Sequence, residues 1–195
     1  MQILEQQVTS RINYEGYCFV DGVVSLREEF LETIPHRDSG KLQTALIRDF
    51  MESQVSREFH WERPYVVWVA SIKQAKNPEL YIEVARRLQQ QPVDFLMVGK
   101  IEDPSYHYLE DRRQLPPNLH YLGLKPLEDI NPILQSSLFL VHTCSPEGFS
   151  NNFIQAWLQG KPTVSLYFDP DGFIEQHQIG YWSRTLDAMC GNDSV

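Results

Sequence analysis

The sequence is poor in cysteine, in long hydrophobic runs and in positive charge. Its three cysteines, Cys18, Cys144 and Cys190, lie far apart and form neither a CxxC pair nor a zinc-like spacing with histidine. No apolar run approaches the ~18 residues of a membrane span, and no basic stretch precedes an apolar one at the N-terminus. The net charge of −9 argues against nucleic acid and anionic membranes as partners. We therefore predict a cytoplasmic protein with reduced thiols, without a signal peptide, a membrane span or a nucleic-acid site.

The length and composition are those of an ordinary globular domain. With 195 residues, 42% of them hydrophobic and 22% charged, the chain holds one large domain, or one domain and a fragment. The first part is irregular: residues 22–25 are typical of a short strand, and residues 41–56 have apolar side chains at helical spacing. A regular pattern begins at Arg63, which predicts two regions, residues 1–62 and residues 63–195.

The second region alternates between short apolar strands and amphipathic helices. Strands are predicted at residues 65–70, 93–98, 119–123, 138–142 and 163–167. One helix is predicted to begin with Asn77 as its N-cap residue and Pro78 in its first position. Further helices are predicted at residues 106–115, at residues 126–135 with Leu127 facing the core, after residue 150, at residues 174–178 and at residues 183–189. This alternation, with short loops, predicts an α/β fold with a Rossmann-like, doubly wound parallel sheet, which binds ligands at the carboxyl ends of its strands.

The most informative stretch is the polar turn after the fourth predicted strand. It reads Ser-Pro-Glu-Gly-Phe-Ser-Asn-Asn over residues 145–152, and the helix that follows ends at Gly160 and Pro162. A turn at a helix N-terminus suits an anion, because unpaired backbone N–H groups and the positive end of the helix dipole coincide there. The alternative is a helix capped by Ser150 or Asn151 that binds no ligand.

The residues of this stretch resemble the signature of the family-4 (group 1) GT-B glycosyltransferases. The family shows Glu-Gly-Phe, which is residues 147–149 here, and then Ala, Gly and Pro before a Val-rich strand. It has a second Glu eight positions after the first, where this sequence has Gln155. The resemblance covers residues 65–181 and implies one half of a GT-B fold, the C-terminal domain that binds a nucleotide sugar. Residues 1–62 then correspond to the tail of the acceptor domain and a linker, and residues 63–195 to a donor-binding domain truncated at its C-terminus.

The resemblance assigns roles to residues of the turn and helix. Glu147 is expected beside the donor sugar as the catalytic carboxylate, and the amides of Phe149, Ser150 and Asn151 are expected near the donor phosphates. The second Glu of the family reaches the ribose hydroxyls from nearly the same helix face, because successive residues are ~100° apart. Gln155 keeps the length and one acceptor of that Glu but lacks its charge, which predicts weakened donor binding.

The resemblance also places donor-binding residues after the first three strands. The family positions an Arg and a Lys on the donor diphosphate; Lys76 matches the Lys, Ser71 occupies the Arg position, and Lys73 is a partial substitute. A lysine is a point charge on phosphate and does not replace the bidentate fork of arginine. The turns with Gly99 and Leu124 correspond to positions that hold the nucleobase. Without the resemblance, these residues are solvated lysines and strand ends.

The resemblance implies retaining transfer of a sugar from a nucleoside-diphosphate sugar, without a cofactor or a metal. The acceptor, whether glycan, lipid or small molecule, is not indicated by the sequence. The full-length protein is expected to be cytoplasmic or peripheral to the membrane. The acceptor is expected to be held by a missing acceptor domain or partner chain, so this chain alone is expected to bind donor but scarcely turn it over. Asp169, Asp171 and Glu175 are an alternative cation site, but a solvated turn is favoured, as is a structural role for His142.

Three other functions stay open. Ser71 and Gln155 favour a non-catalytic nucleotide-binding or partner domain with a degenerate donor site. A sugar-nucleotide epimerase of the same fold requires a carboxylate and histidine pattern that the sequence does not show. A plain α/β domain without a ligand is the remaining alternative.

Overall fold

The computed structural model describes residues 22–25, 43–46, 58–144 and 149–191. The chain divides into two compact units, residues 1–49 and residues 50–195. In the first unit, β1 (Gly22–Ser25) pairs in parallel with β2 (Gln43–Leu46). The predicted strand at residues 22–25 is confirmed, but the predicted helix is wrong over β2, because pairing with β1 satisfies its backbone groups. The rest of that predicted helix lies outside the described residues, and the assignment of residues 1–62 to an acceptor domain and linker stays a prediction.

The second unit contains a six-stranded parallel sheet. Its strands are β3 (Tyr65–Val69), β4 (Asp94–Val98), β5 (Leu119–Tyr121), β6 (Leu140–His142), β7 (Thr163–Ser165) and β8 (Gly180–Trp182). They lie in the order β5-β4-β3-β6-β7-β8, and every neighbouring pair is parallel. This is the order of a doubly wound Rossmann fold, so the predicted α/β class and sheet type are confirmed.

Helices connect the strands of this sheet. They are α1 (Pro78–Arg87), α2 (Leu127–Ser136), α3 (Asn151–Leu158), α4 (Phe173–His177) and α5 (Leu186–Met189), with 3-10 helices at Gln74–Lys76, Pro104–Glu110, Arg112–Gln114 and Pro170–Gly172. Helix α1 begins at a proline and buries one face, as the sequence predicts. Within the described ranges, none of the helices combines the length and apolar character that crossing a bilayer requires.

The helices cover both faces of the sheet, and alternate residues of each central strand enter different cores. Val66 and Trp68 of β3 pack in the core that contains α1, together with Phe95 and Met97 of β4. The residues between them, represented by Val67 and Leu96, pack in the core that contains α2 and α3. Because both faces are buried, these strands are apolar at nearly every position, which is why their sequence predicted them so well.

Two predicted helices and one predicted core residue of the second unit differ from the structure. Residues 106–115 form no α-helix, because the side chains of Asp103 and Asp111 each accept a bond from the backbone N–H two residues on and begin separate 3-10 helices. The predicted helix at residues 183–189 is shorter and follows a sixth strand, β8, that was not predicted. Leu127, predicted to face the core, is 60% exposed at the start of α2.

A buried carboxylate lies at the amino end of the sheet. Asp94 accepts a hydrogen bond from Trp61 Nε1 at 2.9 Å and forms an ion pair with Arg63 at 2.9 Å. His120 Nε2 lies 3.7 Å from the same carboxylate. Burial lowers the pKa of His120 below its ordinary value, the Asp94 charge opposes this, and Arg112 and Arg63 reinforce it.

The lowered pKa of His120 predicts a loss of stability in acid. Unfolded His120 takes up a proton near pH 6.5, whereas the folded residue does so only at lower pH, so this part of the unfolding free energy is lost as pH falls from 6.5 through the folded pKa. Urea unfolding at about pH 7.5 and about pH 5 should show a smaller pH dependence for His120→Gln than for the wild type. Equal pH dependence in wild type and His120→Gln would refute the assignment.

Candidate functional site

The strand order reverses between β3 and β6, and this reversal marks a candidate binding site. The chain proceeds outward from β3 to β4 and β5 on one side, and from β6 to β7 and β8 on the other. In doubly wound sheets, ligands bind beyond the carboxyl ends of the strands at such a point. We define the switch point by residues 70–77, which follow β3, and by residues 143, 144 and 149–152, around the end of β6 and the start of α3.

The loop after β3 carries three of the predicted donor-binding residues. Lys73 Nζ lies 2.9 Å from Glu102 Oε2, and both side chains are partly exposed. Hydrogen bonds from Lys73 and then Ser71 lower the pKa of Glu102 below its ordinary value. Lys76 is half-buried at the end of the 3-10 helix Gln74–Lys76, directly before the N-cap residue of α1. Ser71 and Lys73 thus share a carboxylate partner that the sequence pattern does not predict.

Thr143 links the end of β6 to the backbone of Lys76. The Thr143 side chain is fully buried; its Oγ1 accepts a hydrogen bond from Trp68 Nε1 at 2.9 Å and lies 3.1 Å from the backbone oxygens of both Lys76 and Asn77. Asn77 Nδ2 donates in return to the Thr143 backbone oxygen at 3.0 Å. Asn77 is the N-cap residue of α1, as predicted, but its side chain makes this tertiary bond and no capping bond.

The amino end of α3 is anchored to β3. Asn152 Nδ2 donates to the backbone oxygen of Val69, the last residue of β3. Ser150 is the N-cap residue of α3, one of the two predicted positions, without a side-chain capping bond, and Asn151 is exposed in the first helical position. The first N–H groups of α3 therefore lie at the carboxyl end of the sheet, where the helix dipole favours an anion.

The remaining predicted residues of this stretch are Phe149, Gln155 and Glu147. Phe149 is buried, and its ring centroid lies 6.0 Å from that of Trp157 and 5.7 Å from that of Phe173. Gln155 is 5% exposed on α3. This aromatic packing holds the chain in place directly before α3. Glu147 lies outside the described residues, and its catalytic role stays a prediction.

Gly99 and Leu124 follow neighbouring strands and differ in exposure. Gly99 is buried against the preceding loop, since a Cβ there would lie 1.8 Å from the backbone oxygen of Ala70. Tyr121 Oη donates to the backbone oxygen of Gly99 at 2.9 Å. Leu124, after β5, is 68% exposed. The nucleobase contacts that the resemblance assigns to Leu124 and Gly99 stay a prediction.

Two further polar residues near the carboxyl ends of the strands are explained by packing and capping. His142 is 3% exposed, with its ring centroid 4.5 Å from that of Phe153 and 5.3 Å from that of Phe168. Asp169 accepts hydrogen bonds from two backbone N–H groups of α4, at 2.7 and 3.0 Å, so it is a capping residue in a buried position where a solvated turn was expected. In the part of the chain that the structure describes, no three His, Cys, Asp or Glu side chains are grouped as metal ligands.

A separate cavity lies at the amino ends of β7 and β8. Its volume is about 270 Å³, and it is lined by Trp157, Gly160, Lys161, Pro162, Gln178 and Ile179. None of the donor-binding residues predicted from the sequence lines it, because those residues follow the carboxyl ends of strands.

Sequence reasoning missed Asn152 and the partners of Thr143. An asparagine in the first turn of a helix is usually interpreted as a cap, and a threonine after a strand as part of the strand. A chemical signal for these partners was available in the sequence. Trp68 lies in a buried strand and Thr143 directly follows another, and the buried indole N–H and hydroxyl both require hydrogen-bond partners.

Comparisons with known proteins bear on this geometry. Residues 63–187 match the family model described as glycosyl transferases group 1. Comparison with curated proteins gives no significant match.

Several solved structures share the fold. A variant of S. aureus TarM, in complex with fondaparinux, α-GlcNAc-glycerol and UDP, is 20% identical, with a TM-score of 0.72 over 94% of this chain and 38% of that chain. Anabaena HepE, in complex with UDP and glucose, is 16% identical, with a TM-score of 0.67 over 95% of this chain and 56% of that chain. Sucrose-phosphate synthase from Thermosynechococcus elongatus is 16% identical, with a TM-score of 0.70 over 95% of this chain and 51% of that chain.

These likenesses show the fold, and the family model shows the family. The chain spans only 38 to 56% of the length of the three structures just named. The family match nevertheless extends over more than half of this chain, from before β3 into α5. With the parallel order of its six strands in agreement, the chain belongs to the group 1 glycosyltransferases of GT-B fold.

Proposed function

We propose that this chain is the donor-binding part of a retaining glycosyltransferase. The observation that carries the proposal is the convergence at the switch point of the Lys76 loop and the amino end of α3. Thr143 bonds the first to the end of β6, and Asn152 bonds the second to the end of β3. The lysine cation and the helix N-terminus follow adjacent strands. Together they can bind a diphosphate, which carries negative charge on both of its phosphate groups.

The similar structures support a nucleotide sugar as the donor. The TarM variant is in complex with UDP, and HepE is in complex with UDP and glucose. UDP is therefore the first nucleotide to test. We propose that a further domain holds the acceptor, so that this chain by itself binds donor and transfers sugar poorly.

Lys76 and the amino end of α3 then have defined contributions to transfer. The bond between the anomeric carbon and the diphosphate oxygen breaks, and the diphosphate leaves with the electron pair. Lys76 and the first amides of α3 stabilise that negative charge. The acceptor hydroxyl adds from the face that the diphosphate leaves, and its proton passes to the leaving phosphate oxygen. Glu147 is proposed to lie beside the donor sugar during this step.

Binding of the nucleoside portion uses three other residues. Gln155 accepts a hydrogen bond from a ribose hydroxyl, and Leu124 contacts the base through its exposed side chain. Gly99 contributes main-chain contact without a side chain in the way. Neither a metal nor a cofactor is part of this proposal.

A non-catalytic nucleotide-binding domain is the second candidate function. Two residues favour it. Ser71, which occupies the position of the family's arginine, hydrogen-bonds Glu102, and the uncharged Gln155 occupies the position of the family's second glutamate. A full-length protein that binds a nucleotide sugar but neither hydrolyses nor transfers it would have this function.

Replacing Lys76 by alanine is expected to weaken UDP binding about tenfold to a hundredfold, because a hydrogen bond to a charged group contributes about 1.5–3 kcal/mol. Calorimetric titration of the purified chain with UDP, GDP and ADP measures this loss. Lys161→Ala is the matched control, since Lys161 lines the cavity at the other end of the sheet. The affinity of this variant for UDP should stay within about twofold of wild type. Equal losses in both variants, or no binding of any nucleotide by the wild type, would contradict the proposal.

Gln155→Glu is expected to strengthen UDP binding about fivefold, since a carboxylate accepts hydrogen bonds from hydroxyls more strongly than an amide, by about 1 kcal/mol. Without nucleotide the variant should melt at a lower temperature, because the buried carboxylate loses its hydration. Gln159→Glu places the same charge one helical turn later and should not change the affinity. If the gain persists with a UDP analogue that lacks the ribose hydroxyls, Gln155 does not contact the ribose.

A further inference from the structure

The hydrogen bonds of Thr143 join parts of the chain that are far apart in sequence. Its hydroxyl is separated by 75 residues from Trp68, and by 67 and 66 residues from Lys76 and Asn77. The single hydroxyl proton is directed to the backbone oxygens of Lys76 and Asn77, both at 3.1 Å, while a lone pair accepts the indole N–H. The group is fully buried, so water does not compete for these bonds.

Asn77 closes the connection from the other side. Its side chain donates to the backbone oxygen of Thr143 at 3.0 Å. Its backbone has φ of 49°, a left-handed conformation that asparagine adopts more readily than most residues. The chain therefore turns sharply between Lys76 and α1, and two reciprocal hydrogen bonds hold that turn against the end of β6.

The backbone of Lys76 is itself a partner in this arrangement. A lysine side chain is flexible, and the place where its ammonium group can act is determined by where its backbone is held. Thr143 holds this backbone beside the strand that leads to α3, the other source of positive potential at the switch point.

We propose that Thr143 and Asn77 are positioning residues for nucleoside-diphosphate binding. They hold the Lys76 backbone at the end of β6, so that the Lys76 ammonium group and the amino end of α3 act on the same diphosphate. This inference rests on the proposed function. Thr143 and Asn77 carry no charge and, in this proposal, do not contact the ligand. They nevertheless contribute to the nucleotide affinity that Lys76 provides, because they hold its backbone.

The test is a double-mutant cycle in which UDP affinity is measured by calorimetry. Thr143→Val keeps the side-chain shape and removes the hydroxyl, whereas Thr143→Ser keeps the hydroxyl. We expect the affinity to fall about tenfold in Thr143→Val and to stay within about threefold in Thr143→Ser. In the Lys76→Ala background, Thr143→Val should change the affinity by less than about twofold, because its effect acts through the lysine.

Asn77→Gly provides a second variant should Thr143→Val fail to fold. Glycine adopts the left-handed conformation without strain, so this change removes the bond to the Thr143 backbone oxygen and leaves the turn unstrained. Asn77→Gly should lower the affinity for UDP about threefold or more, and this loss too should vanish in the Lys76→Ala background.

Three outcomes overturn this inference. Unchanged affinity in Thr143→Val and Asn77→Gly would show that the turn needs no such support. A loss that is equally large in the Lys76→Ala background would show a general structural role. Wild-type chain that binds UDP no better than Lys76→Ala would contradict the proposed function itself, and the two failures are therefore distinguishable.

Discussion

Strand β3 is the element on which the rest of the structure depends, because both of its faces are buried and both of its edges are paired. Alternate residues enter the two cores of the second unit, with Trp68 in one and Val67 in the other. It pairs with β4 along its full length and with β6 near its middle. Burying a large apolar side chain contributes about 1.5–3 kcal/mol, so a strand of such residues holds its carboxyl end firmly in place.

The switch point gains its rigidity from this strand. Trp68 belongs to the core through its ring and to the site through its indole N–H, which bonds Thr143. Val69, one residue on, accepts the bond from Asn152 at the start of α3. The two sources of positive potential, Lys76 and the helix N-terminus, are therefore tied to the same pair of strands. A preorganised site of this kind loses little free energy to reorganisation when a charged ligand binds.

Most of the sheet was predictable because its strands are short apolar runs that alternate with helices. Strand β8 was not, because Gly180, Tyr181 and Trp182 form three residues at a sheet edge, with no apolar run to indicate them. The 3-10 helices after β4 were also missed, since Asp103 and Asp111 compete locally with an α-helix for backbone N–H groups.

The candidate site was predictable where its signals are local. The start of each helix indicates its N-cap residue, Asn77 for α1 and either Ser150 or Asn151 for α3, and the structure has Asn77 and Ser150 at these positions. The pairing of Lys73 with Glu102 was not predictable, because it depends on the parallel bridge between residues 72 and 101 beyond the ends of β3 and β4. The bonds of Thr143 likewise connect residues that only the completed sheet brings together.

The position of the bound nucleotide decides whether the switch point is the donor site. Amide chemical shifts of the ¹⁵N-labelled chain, followed by NMR during titration with UDP, report that position residue by residue. We expect the largest changes in residues 70–77 and 149–152 and at Gly99 and Leu124. Changes concentrated at Trp157, Lys161 and Gln178, which line the cavity at the other end of the sheet, would contradict this expectation, as would an unchanged spectrum at millimolar UDP.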